Sequence, residues 1–210
     1  MRESGNQRLI ITHAVLTGLT PLIPIPILDD LARSYFQRRL VRQLAESYRR
    51  ALSEQDVRVL ADDANGGCFG CVGGAFLLPF KLIFRKLFFF LEWKRAADTV
   101  SRTYHQGYLL EYALREGGFP DQHATADVRA AIDAVLREVG TGPVERAVRL
   151  TFSQSKSALS SAARLLRRSL QGLSRKPDEE QVAQAAKAVE EERVIEGVTR
   201  GVQCAASPFI

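Results

Sequence analysis

From Phe80 to Glu116 this chain carries no proline and one glycine, Gly107, and that run constrains the fold more than any other feature. Proline and glycine are the residues that most disfavour a helix interior, so their scarcity over this length reads as one long helix. Its first half, KLIFRKLFFFLEW, is almost saturated with Leu, Phe and Ile. The preceding GGCFGCVGGAFLLPF belongs to a stretch, Ala64 to Phe80, without a charged side chain. Apolar surface of this extent has to be covered by other helices or by a membrane. The rest of the chain is therefore expected to pack on this element or to lie with it at a bilayer.

A second apolar stretch, Leu9 to Leu28 (LIITHAVLTGLTPLIPIPIL), contains no Asp, Glu, Lys or Arg. A helix needs about 20 apolar residues to cross a bilayer, and this stretch reaches that length. Pro21, Pro24 and Pro26 nevertheless break a continuous helix, because each removes a backbone donor. LDDLARSY follows where a secretory signal would carry a small-residue cleavage site. The expectation is a helix over Leu9–Thr20, an extended Pro21–Pro26 and a buried or re-entrant arrangement, after a polar, frayed Met1–Arg8.

The Asp29–Asp30 doublet stands where one carboxylate can cap the next helix against its positive end. That helix carries Leu31, Tyr35, Phe36, Leu40, Val41, Leu44, Tyr48 and Leu52 at 3.6-residue spacing. Its other faces carry Arg33, Arg38, Arg39, Arg42, Arg49 and Arg50 against one interior acid, Glu46. Ser53 caps a short helix holding Val57, Leu60 and Ala61, which ends near Asp62–Asp63. The glycines between Gly66 and Gly74 predict tight turns or close helix contact. On the long helix Val100, Tyr104, Tyr108, Leu109 and Tyr112 continue the apolar pattern, and Gly117–Gly118 with Pro120 stop it.

Beyond Pro120, Thr125 predicts a cap for a short helix with Val128, Ala131, Ile132, Val135 and Leu136 on one face, closed by Gly140. Pro143 suits the first turn of a longer helix carrying Val144, Val148, Phe152, Leu159, Ala163, Leu166 and Leu170. Asp178 caps a last, Ala-rich helix. No segment alternates with period two, so the fold class is all-α: one helical domain of about six helices, with one long central helix and two apolar Gly/Pro-containing segments. Within it, 1–118 is the apolar region, for core or membrane, and 119–210 the amphipathic C-terminal helices packed on the same domain.

With 46% apolar residues in 210 the chain can build a core, and its net charge of +5 is a modest basic surplus. Three cysteines do not make a disulfide framework and point to a reducing cytosol. Cys68 and Cys71 have CxxC spacing, open to three readings: buried thiols, lipidation, or metal and redox work. No second CxxC or histidine pair exists to complete a zinc site. His13 reads as a core or interfacial residue, and His105 and His123 as surface residues. No phosphate loop, dinucleotide fingerprint, nucleophile elbow or HExxH is present, so neither an enzyme nor a bound cofactor or metal is expected.

The basic and aromatic residues point elsewhere. Arg38, Arg39 and Arg42 are either a solvated face or a surface for anionic headgroups, where each cation adds about 1 kcal/mol. Arg85 and Lys86, set among Phe84, Phe88, Phe90 and Trp93, fit rings at a membrane interface with cations reaching outward. Nucleic acid is not expected, because these aromatics sit in a very apolar context rather than in a basic groove.

TPLIPIPILDDLARSYFQRRLVRQLAESYRR and KLIFRKLFFFLEWKRAADTVSRTYHQGYLLEYAL, over residues 15–115, resemble an uncharacterised bacterial helical family found alone or fused to Era-like GTPase domains. They are also similar in build to the EcsC family, associated with bacterial export transporters. The resemblance implies an all-helical, membrane-associated accessory protein whose partner is a GTPase or a transporter, with no catalytic residues to carry over. Lys81, Arg85 and Lys86 stand where those patterns have a smoother apolar segment. The expected function is non-enzymatic: residues 9–28 and 66–93 dock on the cytoplasmic face of an anionic membrane, and the C-terminal helices engage a protein. The alternative is a soluble helical interaction module, or a homo-oligomer, that buries the same segments.

Overall fold

The computed structural model describes residues 2–22, 26–61, 85–117, 119, 124–139, 142–154, 161, 164, 168, 180, 181, 183, 184, 187 and 193–206. Among them are seven α-helices: α1 (Arg2–Leu19), α2 (Pro26–Ser47), α3 (Glu54–Ala61), α4 (Arg85–Arg115), α5 (Ala124–Val139), α6 (Gly142–Gln154) and α7 (Arg193–Ala206). A 3-10 turn, Thr20–Leu22, follows α1, and no strand occurs among the described residues. The fold is all-α. The 31-residue α4 is the long element, and α1, α2, α5 and α6 pack on it directly.

The uncharged N-terminal stretch is the heart of this arrangement. Ile10 to Thr20 are all buried except the half-buried Thr12. They are enclosed by α2, α4 and α7. Helices α1 and α4 run antiparallel, since Asn6 meets Glu111, Ile10 meets Gly107 and Gly18 meets Ala96 and Val100. Two glycines set their separation. A Cβ on Gly18 would fall 2.1 Å from Val100 Cγ2 and 3.0 Å from the Ala96 carbonyl oxygen, and one on Gly107 2.9 Å from Ile10 Cγ2. Close packing at native density leaves no room for a methyl at Gly18.

Several local expectations are corrected. The N-terminus is helical from Arg2, not frayed, because Asn6 is buried and donates to Glu111 Oε1 at 2.9 Å. Helix α2 opens at Pro26, so Asp29 and Asp30 lie a turn inside it, not at its cap. Proline suits a first helical position, where its missing N–H is not needed. Pro21 sits in the 3-10 turn, not in extended chain. Thr125 is the second residue of α5, not its cap, and its hydroxyl donates to Asp56 Oδ1 at 2.9 Å. Ala131 and Val135 face outward, while Ile132 is buried and Val128 and Leu136 pack against the core. His105 is half-buried, with Nδ1 2.7 Å from the Ser101 carbonyl oxygen.

Other expectations hold. The α2 stripe faces inward: Tyr35, Phe36, Leu40, Val41 and Leu44 are core, with Leu31 packed against it, but the helix ends at Ser47, so Tyr48 and Leu52, expected on it, pack on the core from the link to α3. Helix α4 stops at Arg115, and Gly117 follows with φ 74°, in the left-handed region. Val148 and Phe152 on α6 are buried. The run from Gly66 to Gly74 lies outside the described residues.

Candidate functional site

The exposed edge where α2 meets α3 concentrates charge. Arg38 and Arg42 lie one turn apart on α2, and Glu54 and Arg58 one turn apart on α3. The link between the helices is a tight one. Arg49, with φ 55°, takes the left-handed position after α2, and the Arg50 and Arg49 amides bond back to Ala45 and Glu46 at 2.9 Å each. That is the geometry of a Schellman close. Ser53 and Asp56 then form a capping pair: the Asp56 amide donates to Ser53 Oγ at 3.1 Å, and the Ser53 hydroxyl to Asp56 Oδ2 at 2.6 Å. The Ser53 hydroxyl is the main cause holding the Asp56 carboxyl below its usual range.

The turn brings two guanidinium groups to one carboxylate. Arg42 Nη2 donates to both Glu54 oxygens at 2.8 Å, and Arg58 Nε stands 3.8 Å from Oε1. The Arg42 hydrogen bonds hold the Glu54 carboxyl below its ordinary range against a partly opposing burial, and the charges of Arg42, Arg58 and Arg38 add to them. The Arg42, Glu54 and Arg58 side chains are 36%, 51% and 61% exposed. Exposed pairs of this kind contribute about 0–1 kcal/mol to stability. Arg39 donates to the Tyr35 hydroxyl at 3.3 Å on the same helix.

Beneath this face, α3 is held to the body by buried polar bonds. Leu60 at its C-terminal end offers its carbonyl to Gln106 Nε2 at 3.0 Å and to Arg129 Nη1 at 2.7 Å. Arg129 also pairs with Asp133 at 2.9 Å, both groups being buried. A second node joins α1, α4 and the turn after α2: Asn6 and the Tyr48 hydroxyl both donate to Glu111 Oε1, at 2.9 and 3.0 Å. Burial first, then the neighbouring carboxylate, pushes the Tyr48 hydroxyl above its ordinary pKa. No pattern in the sequence marks these contacts, whose partners lie 46 to 105 residues apart.

Of the residues predicted to meet a membrane, Arg38 and Arg42 are brought together and Arg39 lies on the same helix. Phe84 lies outside the described residues, as do the side chains of Arg85, Lys86, Phe88 and Phe90. Trp93 is half-buried, its ring edge-on to Phe152 with centroids 5.9 Å apart. Within Leu9–Leu28, residues Ile10–Thr20 face the protein interior, with only Thr12 half-buried. Sequence reasoning missed Arg58 and Glu54, although their spacing of four on a short helix was available as a signal.

Cys68 and Cys71 lie outside the described residues, and Cys204 is exposed on α7. No group of His, Cys, Asp and Glu fit to hold a metal occurs among the described residues. No helix among them is long and apolar enough to cross a membrane. The fold defines the class, an all-α helical bundle with a basic edge. No family model matches the chain, and no curated protein or solved structure matches it either.

Proposed function

We propose that this protein is a non-enzymatic helical accessory protein that binds the cytoplasmic face of an anionic membrane peripherally. The observation that carries the reading is the basic edge where Arg42 and Arg58 meet at the exposed Glu54 carboxylate, with Arg38 one turn before Arg42 on the same helix. Ile10–Thr20 are part of the core of the bundle and are set aside as a membrane contact. The basic edge of α2 and α3 supplies headgroup attraction, and residues 66–93, with Phe84, Phe88 and Phe90, the apolar contact. Following the resemblance, the protein partner is a GTPase or a transporter. Flotation with liposomes, with and without anionic lipid and at two salt concentrations, tests the reading. Binding that needs anionic lipid supports it, and a folded protein that never floats overturns it. Attraction through headgroups alone disappears at high salt, where the screening length falls to about 3 Å.

A second reading, a helical protein-interaction module, is favoured by Tyr108 and Tyr112. They are 44% and 52% exposed one turn apart on α4, with the Arg115 guanidinium 5.4 Å from the Tyr112 ring centroid. Tyrosine and arginine are enriched where binding energy concentrates. Light scattering of the native protein and of Tyr108→Ser/Tyr112→Ser tests it for a second copy of the chain. A dimer lost in the variant favours it, and an unchanged monomer removes that partner.

A further inference from the structure

We propose that α7 is a displaceable strap: it covers the apolar helix α1 in the closed bundle and yields that place when the protein meets a bilayer. The inference rests on the membrane reading above and adds the device that controls it. From Ile10 to Leu19, α1 has no Asp, Glu, Lys or Arg, and its buried Ile10, Ile11, Ala14, Val15, Leu16 and Leu19 spread around most of the helix. Such a helix is at home in a protein core or in lipid, and here α2, α4 and α7 supply the core. Helix α7 carries features that favour its release. Gly197 is exposed, and a Cβ there would have nothing within 4 Å, so this glycine weakens the helix and serves no contact. Thr199 is buried and its Oγ1 has no hydrogen-bond partner, a cost that undocking removes because water then answers the hydroxyl. The Arg8–Glu196 bond between α1 and α7 spans 3.4 Å and joins side chains 66% and 48% exposed, which makes it weak. Docking is nevertheless specific. Gly201 lets α7 approach α6 closely, since a Cβ there would fall 2.7 Å from Thr151 Cγ2.

The experiment follows amide hydrogen exchange and vesicle partition of the full chain, as wild type and as three variants. Gly197→Ala strengthens the helix where space is open, and Thr199→Val keeps the shape but removes the orphan hydroxyl. Gly201→Leu keeps helix propensity and blocks the approach to Thr151. In wild type the α7 amides are expected to exchange faster than those of α4, through a local opening. Gly197→Ala and Thr199→Val are each expected to slow α7 exchange about fivefold, and Gly201→Leu to speed it by more than about fivefold. Partition onto vesicles of phosphatidylcholine with phosphatidylglycerol is expected to follow the same order, highest for Gly201→Leu. Gly197→Ala and Thr199→Val carry the test if Gly201→Leu does not fold. Exchange of α7 and α4 at one common rate in every variant, the mark of opening by global unfolding alone, would overturn the strap. Faster α7 exchange with equal partition of all the proteins would overturn α7 as the gate to the bilayer while leaving membrane binding in place. Absence of every protein from the vesicles would overturn the membrane reading, and with it the bilayer as the alternative cover of α1.

Discussion

His13 sits inside α1 with 3% of its surface exposed, and its Nδ1 lies 3.1 Å from the Leu9 carbonyl oxygen. A carbonyl can only accept, so Nδ1 carries the proton and Nε2 is a bare acceptor. That Nε2 is buried and has no hydrogen-bond partner among the described residues. Protonation would place a cation in the core with its new N–H unanswered. Burial is accordingly the main cause that lowers the pKa from 6.5 to about 4; the Leu9 carbonyl opposes it and the Arg39 charge assists it. The sign follows from linkage. Above pH 6.5 neither state binds the proton, and the full stability is present. As pH falls from 6.5 towards 4, the unfolded chain binds a proton that the folded chain refuses, and stability is lost. The interval from 6.5 to about 4, at about 1.4 kcal/mol per pH unit, corresponds to roughly 3 kcal/mol.

The perturbation is His13→Leu, which removes the titration and keeps an apolar side chain in the core. Urea unfolding of both proteins, followed by far-ultraviolet circular dichroism at pH 7 and pH 5, measures the difference. Wild type is expected to lose about 2 kcal/mol more than the variant over that interval, since the two pKa values bracket most of it. Other groups whose titration reaches this range act in both proteins and cancel in the comparison. Parallel pH profiles for the two proteins would refute the reasoning, because the imidazole would then have the same proton affinity folded and unfolded.

Three further outcomes are expected. Gly18→Ala drives a methyl against Val100 and the Ala96 carbonyl and should cost about 1–3 kcal/mol, as overpacking does, seen as a lower urea midpoint at unchanged slope. Arg49→Gly should raise stability by about 0.5–1 kcal/mol, because glycine takes the left-handed conformation without a Cβ clash; thermal melting checks it, and a lower Tm would contradict it. Arg129→Met leaves Asp133 buried without its cation and the Leu60 carbonyl short of a donor, a loss of about 3–5 kcal/mol, read from denaturant unfolding.

Much of the local structure was legible in the residues. The α2 stripe from Leu31 to Leu44 shows its inward face because one buried side imposes a 3.6-residue period. Ser53 announced the start of α3, since a short side chain there answers an orphan amide, here that of Asp56. Caps misled where two elements compete for one group: Thr125 looks like a cap, yet its hydroxyl is drawn to Asp56, which is 69 residues away. Asp29–Asp30 misled because Pro26 had already set a helical φ one turn earlier.

By itself the sequence determined an all-α chain, the long α4 with its glycine stop, the inward stripe of α2 and a core-seeking N-terminal helix. These follow from backbone propensity and from periodicity, both of which act over a few residues. Tertiary structure alone decided that Ile10–Thr20 is enclosed by protein and not by lipid. A core helix and a membrane helix have the same composition, because both satisfy their backbone internally and present apolar side chains, and only the neighbours distinguish them. It also decided that Arg42 and Glu54, 12 residues apart, clasp one another with Arg58 beside them. Charges on separate helices converge only when the turn and the buried bonds at Leu60 hold those helices side by side.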